Sequence, residues 1–116
     1  MKTVDAGRIG EELAEKALRR ERLKVLERNY RFGHLEVDLI LWDRKTQTLV
    51  FAEVKARSES AVGFPRESVT PQKQRYLKQA AKAYCAVNGY TDTSCRFDVV
   101  EVWLESKRVD HIENAF

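Results

Sequence analysis

Apolar positions along the chain change period several times, and each change marks an element. Residues 5–21 lack proline and repeat Ala6, Ile9, Gly10, Leu13, Ala14, Ala17 and Leu18 at helical spacing, which predicts a first helix. Residues 24–32 and 36–42 then read as two antiparallel strands about a turn at Gly33-His34. A polar turn over residues 43–47 returns the chain into a third strand, residues 49–56, so the three form a meander. Residues 58–68, with Gly63 and Pro65, show no period and are expected to be a mobile loop. Thr70-Pro71 starts a second helix that runs to about Val87, and Asn88-Gly89 ends it. Residues 95–104 alternate as a further strand, and a turn at 105–107 leads to a short edge strand over residues 109–112. The order helix, three strands, helix, one or two strands predicts an α/β fold, a mixed sheet with flanking helices.

Two strands carry charge where apolar side chains belong. The period of two places Asp38 on the face of Ile40 and Trp42, and Val37, Leu39 and Leu41 on the other. It places Glu53 and Lys55 beside Phe51, with Val50, Ala52, Val54 and Ala56 opposite. Two carboxylates and a lysine on adjoining central strands cost several kcal/mol to desolvate unless they pair, ligate a metal or line a cleft. Oxygen ligands of this kind suit Mg²⁺ or Mn²⁺, so Asp38 and Glu53 are candidate metal ligands with the Val54 carbonyl as a third. Lys55, about 6 to 7 Å along the same face, is placed to hold an attacking water or a phosphate oxygen. The plain alternative is a buried ion pair of Lys55 with Glu53 or Asp38 and no metal.

The helices add two candidates. Glu11 lies about 20° past Leu18 on the helical wheel and Glu15 about 60° past it, so Glu11 alone borders the apolar arc. It is either a third carboxylate leaning over the sheet or a first-turn acid favoured by the helix dipole. Lys73 falls at the centre of the arc of Tyr76, Leu77, Ala80, Tyr84 and Val87, in a first turn where the dipole disfavours a cation. It either meets an anion such as a phosphate or snorkels to solvent. Gln72 borders that arc. Arg28, Arg31, Arg57 and Arg66, with Tyr30 and Phe64, are candidate phosphate contacts, though surface charge is the simpler reading of each. His34 reads as a surface turn residue, and Trp42 and Trp103 as core.

The composition changes this picture little. With 116 residues, 43% apolar and 34% charged, the chain fits one ordinary globular domain over residues 1–116. A net charge of +3 is compatible with a polyanion partner without requiring one. The chain has no long apolar run, leader-like start or prenylation box, so a cytoplasmic location without membrane contact is expected. Cys85 and Cys95 have neither metal-knuckle spacing nor the density of a secreted scaffold, and are read as reduced structural thiols without a disulfide.

Taken together, Gly10-Glu11-Glu12-Leu13-Ala14, Arg28-Asn29-Tyr30-Arg31, Glu36-Val37-Asp38-Leu39-Ile40, the run from Phe51 to Arg57, Gly63, Pro65, Lys73, Leu77 and Ala80-Ala81 resemble the small bacterial YraN proteins. That family is regarded as related to archaeal Holliday junction resolvases within the PD-(D/E)xK superfamily. The resemblance spans roughly residues 7–104 and implies a restriction-endonuclease-like core. It implies a Mg²⁺- or Mn²⁺-dependent nuclease acting on nucleic acid, with branched or structured DNA as the expected substrate, in which Asp38, Glu53 and Lys55 form the metal site and Glu11 is an accessory acid. Leu35 stands where the family usually has glycine, so no role is carried to Glu36. A junction-cutting enzyme needs two active sites, hence a homodimer, and a partner protein is compatible with this reading. The alternative is a nucleic-acid-binding or partner-binding module on the same fold that does not cleave.

Overall fold

A computed structural model describes residues 3–59 and 69–116. Along them run α1 (Thr3–Arg20), β1 (Leu23–Phe32), β2 (Leu35–Asp43), β3 (Thr48–Arg57), α2 (Pro71–Asn88), β4 (Ser94–Trp103) and β5 (Arg108–Ile112). The order is the one the apolar periods predict, including the second of the two final strands. The five strands form one sheet in the order β1-β2-β3-β4-β5. β1 to β3 are the expected antiparallel meander, β4 pairs with β3 in parallel, and β5 returns antiparallel to β4. Two parallel neighbours need a crossover, and α2 supplies it. Its ends follow from local chemistry: the Thr70 hydroxyl accepts from the Lys73 amide at 3.2 Å, Pro71 occupies the first turn, and Gly89 takes the left-handed conformation at φ 74°.

The helices cover opposite faces. Ala14 and Leu18 of α1 pack on Leu39, Leu41, Val50, Ala52, Val100 and Val102, whereas Leu77, Ala80, Ala81 and Tyr84 of α2 pack on Val37, Ile40, Leu49 and Phe51. Val37 therefore departs from the simple alternation that groups it with Leu39 and Leu41. The break falls at Asp38, opposite Asn29 of β1, whose φ of 51° interrupts the extended strand. Val87 also departs from its expected place in the apolar arc, being 79% exposed in the last turn of α2. Trp103 lies outside both core clusters; it is half-buried, with Arg108 5.1 Å over its ring and its indole N–H donated to Asp110 at 3.0 Å.

Gly10 sets the height of α1 above the sheet. A Cβ on it would stand 2.7 Å from the Cβ of Ala56, closer than two carbons can approach, so only glycine allows this contact with β3. β4 has buried charge of its own. Asp98, with no exposed surface, accepts from Arg96 Nε at 3.0 Å and the Asn114 amide at 3.1 Å, and lies 2.6 Å from Nε2 of His111. Arg96 Nη1 reaches Asp43 at 2.9 Å, and Nδ1 of His111 lies 2.9 Å from Glu21. Burial alone would raise the Asp98 pKa, but bonds from His111, Arg96 and Asn114 hold it below the usual carboxylate range. Burial alone would likewise lower the His111 pKa, and the hydrogen bonds to Asp98 and Glu21 outweigh it and raise it. This network ties the edge strand β5 to β4 and to the end of α1.

Cys85 and Cys95 are free thiols with their sulfurs 3.8 Å apart. Among the described residues, no helix is long and apolar enough to cross a membrane.

Candidate functional site

A split in the sheet builds the site. The registered pairs of β2 and β3 run from Asp43 and Thr48 to Leu39 and Ala52 and stop there. Beyond that point β2 continues against β1, and β3 continues against β4 as far as Arg57 and Trp103. Asp38 on one lip and Glu53, Val54 and Lys55 on the other thus face a gap between two central strands. The Val54 amide crosses it, donating to Asp38 Oδ2 at 2.7 Å. In an extended strand the N–H and C=O of one residue point to the same edge, so the Val54 carbonyl opens on the Asp38 side as well.

Charge in the gap is only partly balanced. Glu53 is 5% exposed; its Oε1 receives Lys73 Nζ at 2.9 Å and lies 3.5 Å from Lys55 Nζ. Its Oε2 is buried with no hydrogen-bond partner among the described residues. Burial pushes the Asp38 pKa up to about 7, the Glu53 and Glu11 charges add to the rise, and the Val54 amide and Lys73 oppose it. A buried carboxylate whose ionisation is costly, beside a second one with an orphaned oxygen, is the donor set a hard divalent cation relieves.

Lys73 turns inward onto Glu53 and does not snorkel to solvent. Glu11 is half-buried and accepts from Asn29 Nδ2 at 3.0 Å. Since α1 starts at Thr3, Glu11 is not in the first turn, and the helix dipole does not explain it. Arg31 is exposed at the β1 edge, in register with Glu36. Arg57 shares the face of Glu53 and Lys55, two residues further on, with Nε 3.9 Å from Glu101. Arg28 is held by Glu15, Nε to Oε2 at 2.9 Å, which accounts for both residues without a ligand. Among the described residues Gln72 reaches Tyr76, at 3.4 Å, and Tyr30 stacks edge-on against Tyr84 within the core. His34 is exposed in its turn. Arg66, Phe64 and most of the expected loop, residues 60–68, lie outside the described residues.

One neighbour escaped the sequence reading. Glu101 of β4, 5% exposed, is in register with Lys55 and so stands beside it on the same face. The signal for it was present: an acid inside Val99-Val100-Glu101-Val102 breaks an apolar run just as Asp38 does. The same signal marks Asp98. At the far end of β4, oxygen and nitrogen atoms of Glu21, His111 and Glu113 lie within 4.8 Å of one another. The Arg96 guanidinium, 3.9 Å from Glu113, opposes a cation there.

A model of the uncharacterised protein family UPF0102 matches residues 10–102. A UPF0102 protein of Chlorobium chlorochromatii is 43% identical, aligned over 98% of this chain and 92% of its own length. One from Geobacter sulfurreducens is 42% identical over 92% of this chain and 84% of its own. One from Clostridioides difficile is 39% identical over the whole of both chains. None of these descriptions names an activity.

Proposed function

The chain belongs to the uncharacterised protein family UPF0102, and from its site we propose that it is a Mg²⁺- or Mn²⁺-dependent endonuclease that hydrolyses phosphodiester bonds in DNA. Branched or structured DNA is the proposed substrate, in keeping with the resemblance to junction resolvases. The observation that carries the reading is the buried Oε2 of Glu53, without a hydrogen-bond partner among the described residues, on a strand split from that of Asp38. Asp38, Glu53 and the Val54 carbonyl hold the cation. A bound divalent cation lowers the pKa of water and offsets charge building on the phosphorus.

The rest of the chemistry belongs to the chain's own groups. Lys55, beside Glu53 on the same face, positions the attacking water and keeps its ammonium toward the phosphate oxygens. Lys73 neutralises Glu53 in the absence of substrate and transfers that charge to the scissile phosphate when one enters. Glu11, fixed by Asn29, is the accessory acid on the opposite wall. Arg31 and Arg57 flank the gap as further phosphate contacts. A homodimer would supply the two sites that a symmetric junction requires.

The test is a Mn²⁺ and Mg²⁺ titration by calorimetry on wild type, Asp38→Asn and Glu53→Gln, with cleavage of linear, flapped and four-way DNA measured alongside. Both signals are expected in wild type and should vanish in the variants. DNA binding that is independent of metal and brings no cutting on any of these substrates would favour a non-cleaving binding module instead.

A further inference from the structure

We propose that a basic groove at the other end of β2 is a second docking point for nucleic-acid backbone, five to six base pairs from the metal site. The groove has a volume of about 530 Å³ and is lined by Arg19, Arg22, Leu23, Lys24, Arg44 and Lys45. The fold assembles it from three separate stretches. Arg19 lies in the last turn of α1, Arg22 and Lys24 flank the first residue of β1, and Arg44 and Lys45 begin the β2–β3 turn, which Leu23 meets through its register with Asp43.

Helix electrostatics explains only the first of these cations. Arg19 sits in the last turn of α1, where the dipole favours positive charge, and it also pairs with Glu15 at 2.7 Å. Arg22, Lys24, Arg44 and Lys45 are exposed and have no ion-pair partner among the described residues. Acids that adjoin them in the chain are committed elsewhere: Asp43 to Arg96 and the Lys45 amide, Glu21 to His111. Among the described residues, no acid neutralises these four cations. Arg22 also holds φ at 67°, a left-handed conformation in which glycine would be unstrained, so an arginine occupies this corner against the local preference.

Concentrated, unneutralised positive charge of this kind fits a polyanion. The single apolar residue of the groove, Leu23, is 4% exposed, so the patch lacks the exposed apolar wedge that membrane docking uses alongside basic charge. A duplex is the better fit on spacing too. From Asp38 to the Asp43–Arg44 corner the strand covers about 17 to 20 Å, and DNA advances about 3.4 Å per base pair. One arm lying along β2 would present phosphates to both places within about half a helical turn. The inference rests on the proposed nuclease only for the class of polyanion.

Metal-free full-length protein, titrated by fluorescence anisotropy against a labelled 24-base-pair duplex across a series of NaCl concentrations, tests it. Replacing Arg22, Lys24, Arg44 and Lys45 together by glutamine is expected to weaken binding at least tenfold at 100 mM salt. It should also flatten the plot of log affinity against log salt by about 3.6 in slope. The Arg44→Gln and Lys45→Gln single variants, each expected to remove about one from the slope, cover the case in which the fourfold variant does not fold. Glutamine at the exposed α2 residues Lys78 and Lys82 should leave the slope unchanged. An unchanged slope in the groove variants overturns the proposal, and so does binding to phosphatidylglycerol vesicles in preference to the duplex. Metal- and Asp38-dependent cleavage is scored separately. If it is absent while the slope falls, the groove stands and the nuclease reading fails. If it is present while the slope is unmoved, the reverse holds.

Discussion

Replacing Asp38 by asparagine is expected to stabilise the metal-free protein above neutral pH. The side chain is close in size, and its amide oxygen can still accept the Val54 N–H now bonded at 2.7 Å. What disappears is a charge that folding makes costly. Carrying an aspartate from its ordinary pKa of 3.8 up to about 7 corresponds to about 4 kcal/mol against the folded state at pH 8. The buried asparagine amide carries a desolvation cost of its own that offsets part of this, so we expect a gain of about 2 kcal/mol, or roughly 8 °C in melting temperature for a chain of this size. The sign follows from the raised pKa: below the unfolded value the carboxyl is protonated in both states and costs nothing, and the penalty grows as pH rises from there to the folded value, above which it is complete. Urea unfolding in EDTA at pH 8 and at pH 4 measures it. The gain should be present at pH 8 and absent at pH 4, and millimolar Mg²⁺ should stabilise wild type while leaving the variant unmoved. A variant no more stable than wild type at pH 8, or equally favoured at pH 4, would refute the reasoning.

Three other perturbations probe the elements around the gap. Lys73→Met leaves Glu53 without its closer ammonium; with Lys73 one-third exposed, we expect a loss of about 1 to 2 kcal/mol by chemical denaturation, together with tighter Mn²⁺ binding by calorimetry because a competing cation is gone. Gly10→Ala should cost about 1 to 3 kcal/mol through the overlap with Ala56, and the double variant with Ala56→Gly should recover most of it; failure of that rescue would mean that α1 is not seated by this contact. The raised pKa of His111 predicts stability that is complete below pH 6.5 and lost as pH climbs through the folded value, whereas the depressed pKa of Asp98 predicts stability present above pH 4 and lost on acidification below it. Melting temperatures from pH 3 to 9 for wild type and His111→Asn should show the first slope vanishing in the variant.

The parts of this molecule that announce themselves in sequence are those governed by neighbours along the chain. Thr70-Pro71 and Gly89 fix the ends of α2 through a side-chain cap, a locked φ and a left-handed turn, all local effects. The meander is equally plain, because short polar turns leave antiparallel pairing as the only return path. Asp38, Glu53 and Lys55 stand out because charge within an apolar strand is costly wherever that strand lies. What could not be read depends on contacts distant in sequence. The parallel pairing of β3 and β4 is decided by how α2 crosses over, and it puts Glu101 beside Lys55. Glu15 falls outside the apolar arc of α1 on a wheel, yet Arg28 of β1 draws it in. Val37 packs on the α2 face next to the point where Asn29 of β1 leaves the extended conformation. His111 acquires meaning only when β5 lies against β4 and brings it to Asp98.

The bond from the Val54 amide to Asp38 gives the protein a built-in spectroscopic reporter. Most amides of a central strand point at a carbonyl and respond to little but unfolding. This one points at a carboxylate, so its nitrogen and proton frequencies follow the electron density on Oδ2. Protonation of Asp38, arrival of a cation or widening of the gap would each displace a single cross-peak in a ¹⁵N-labelled sample, and its exchange with solvent deuterium would time the opening. The state of the gap can thus be followed in the resting protein, with no substrate added.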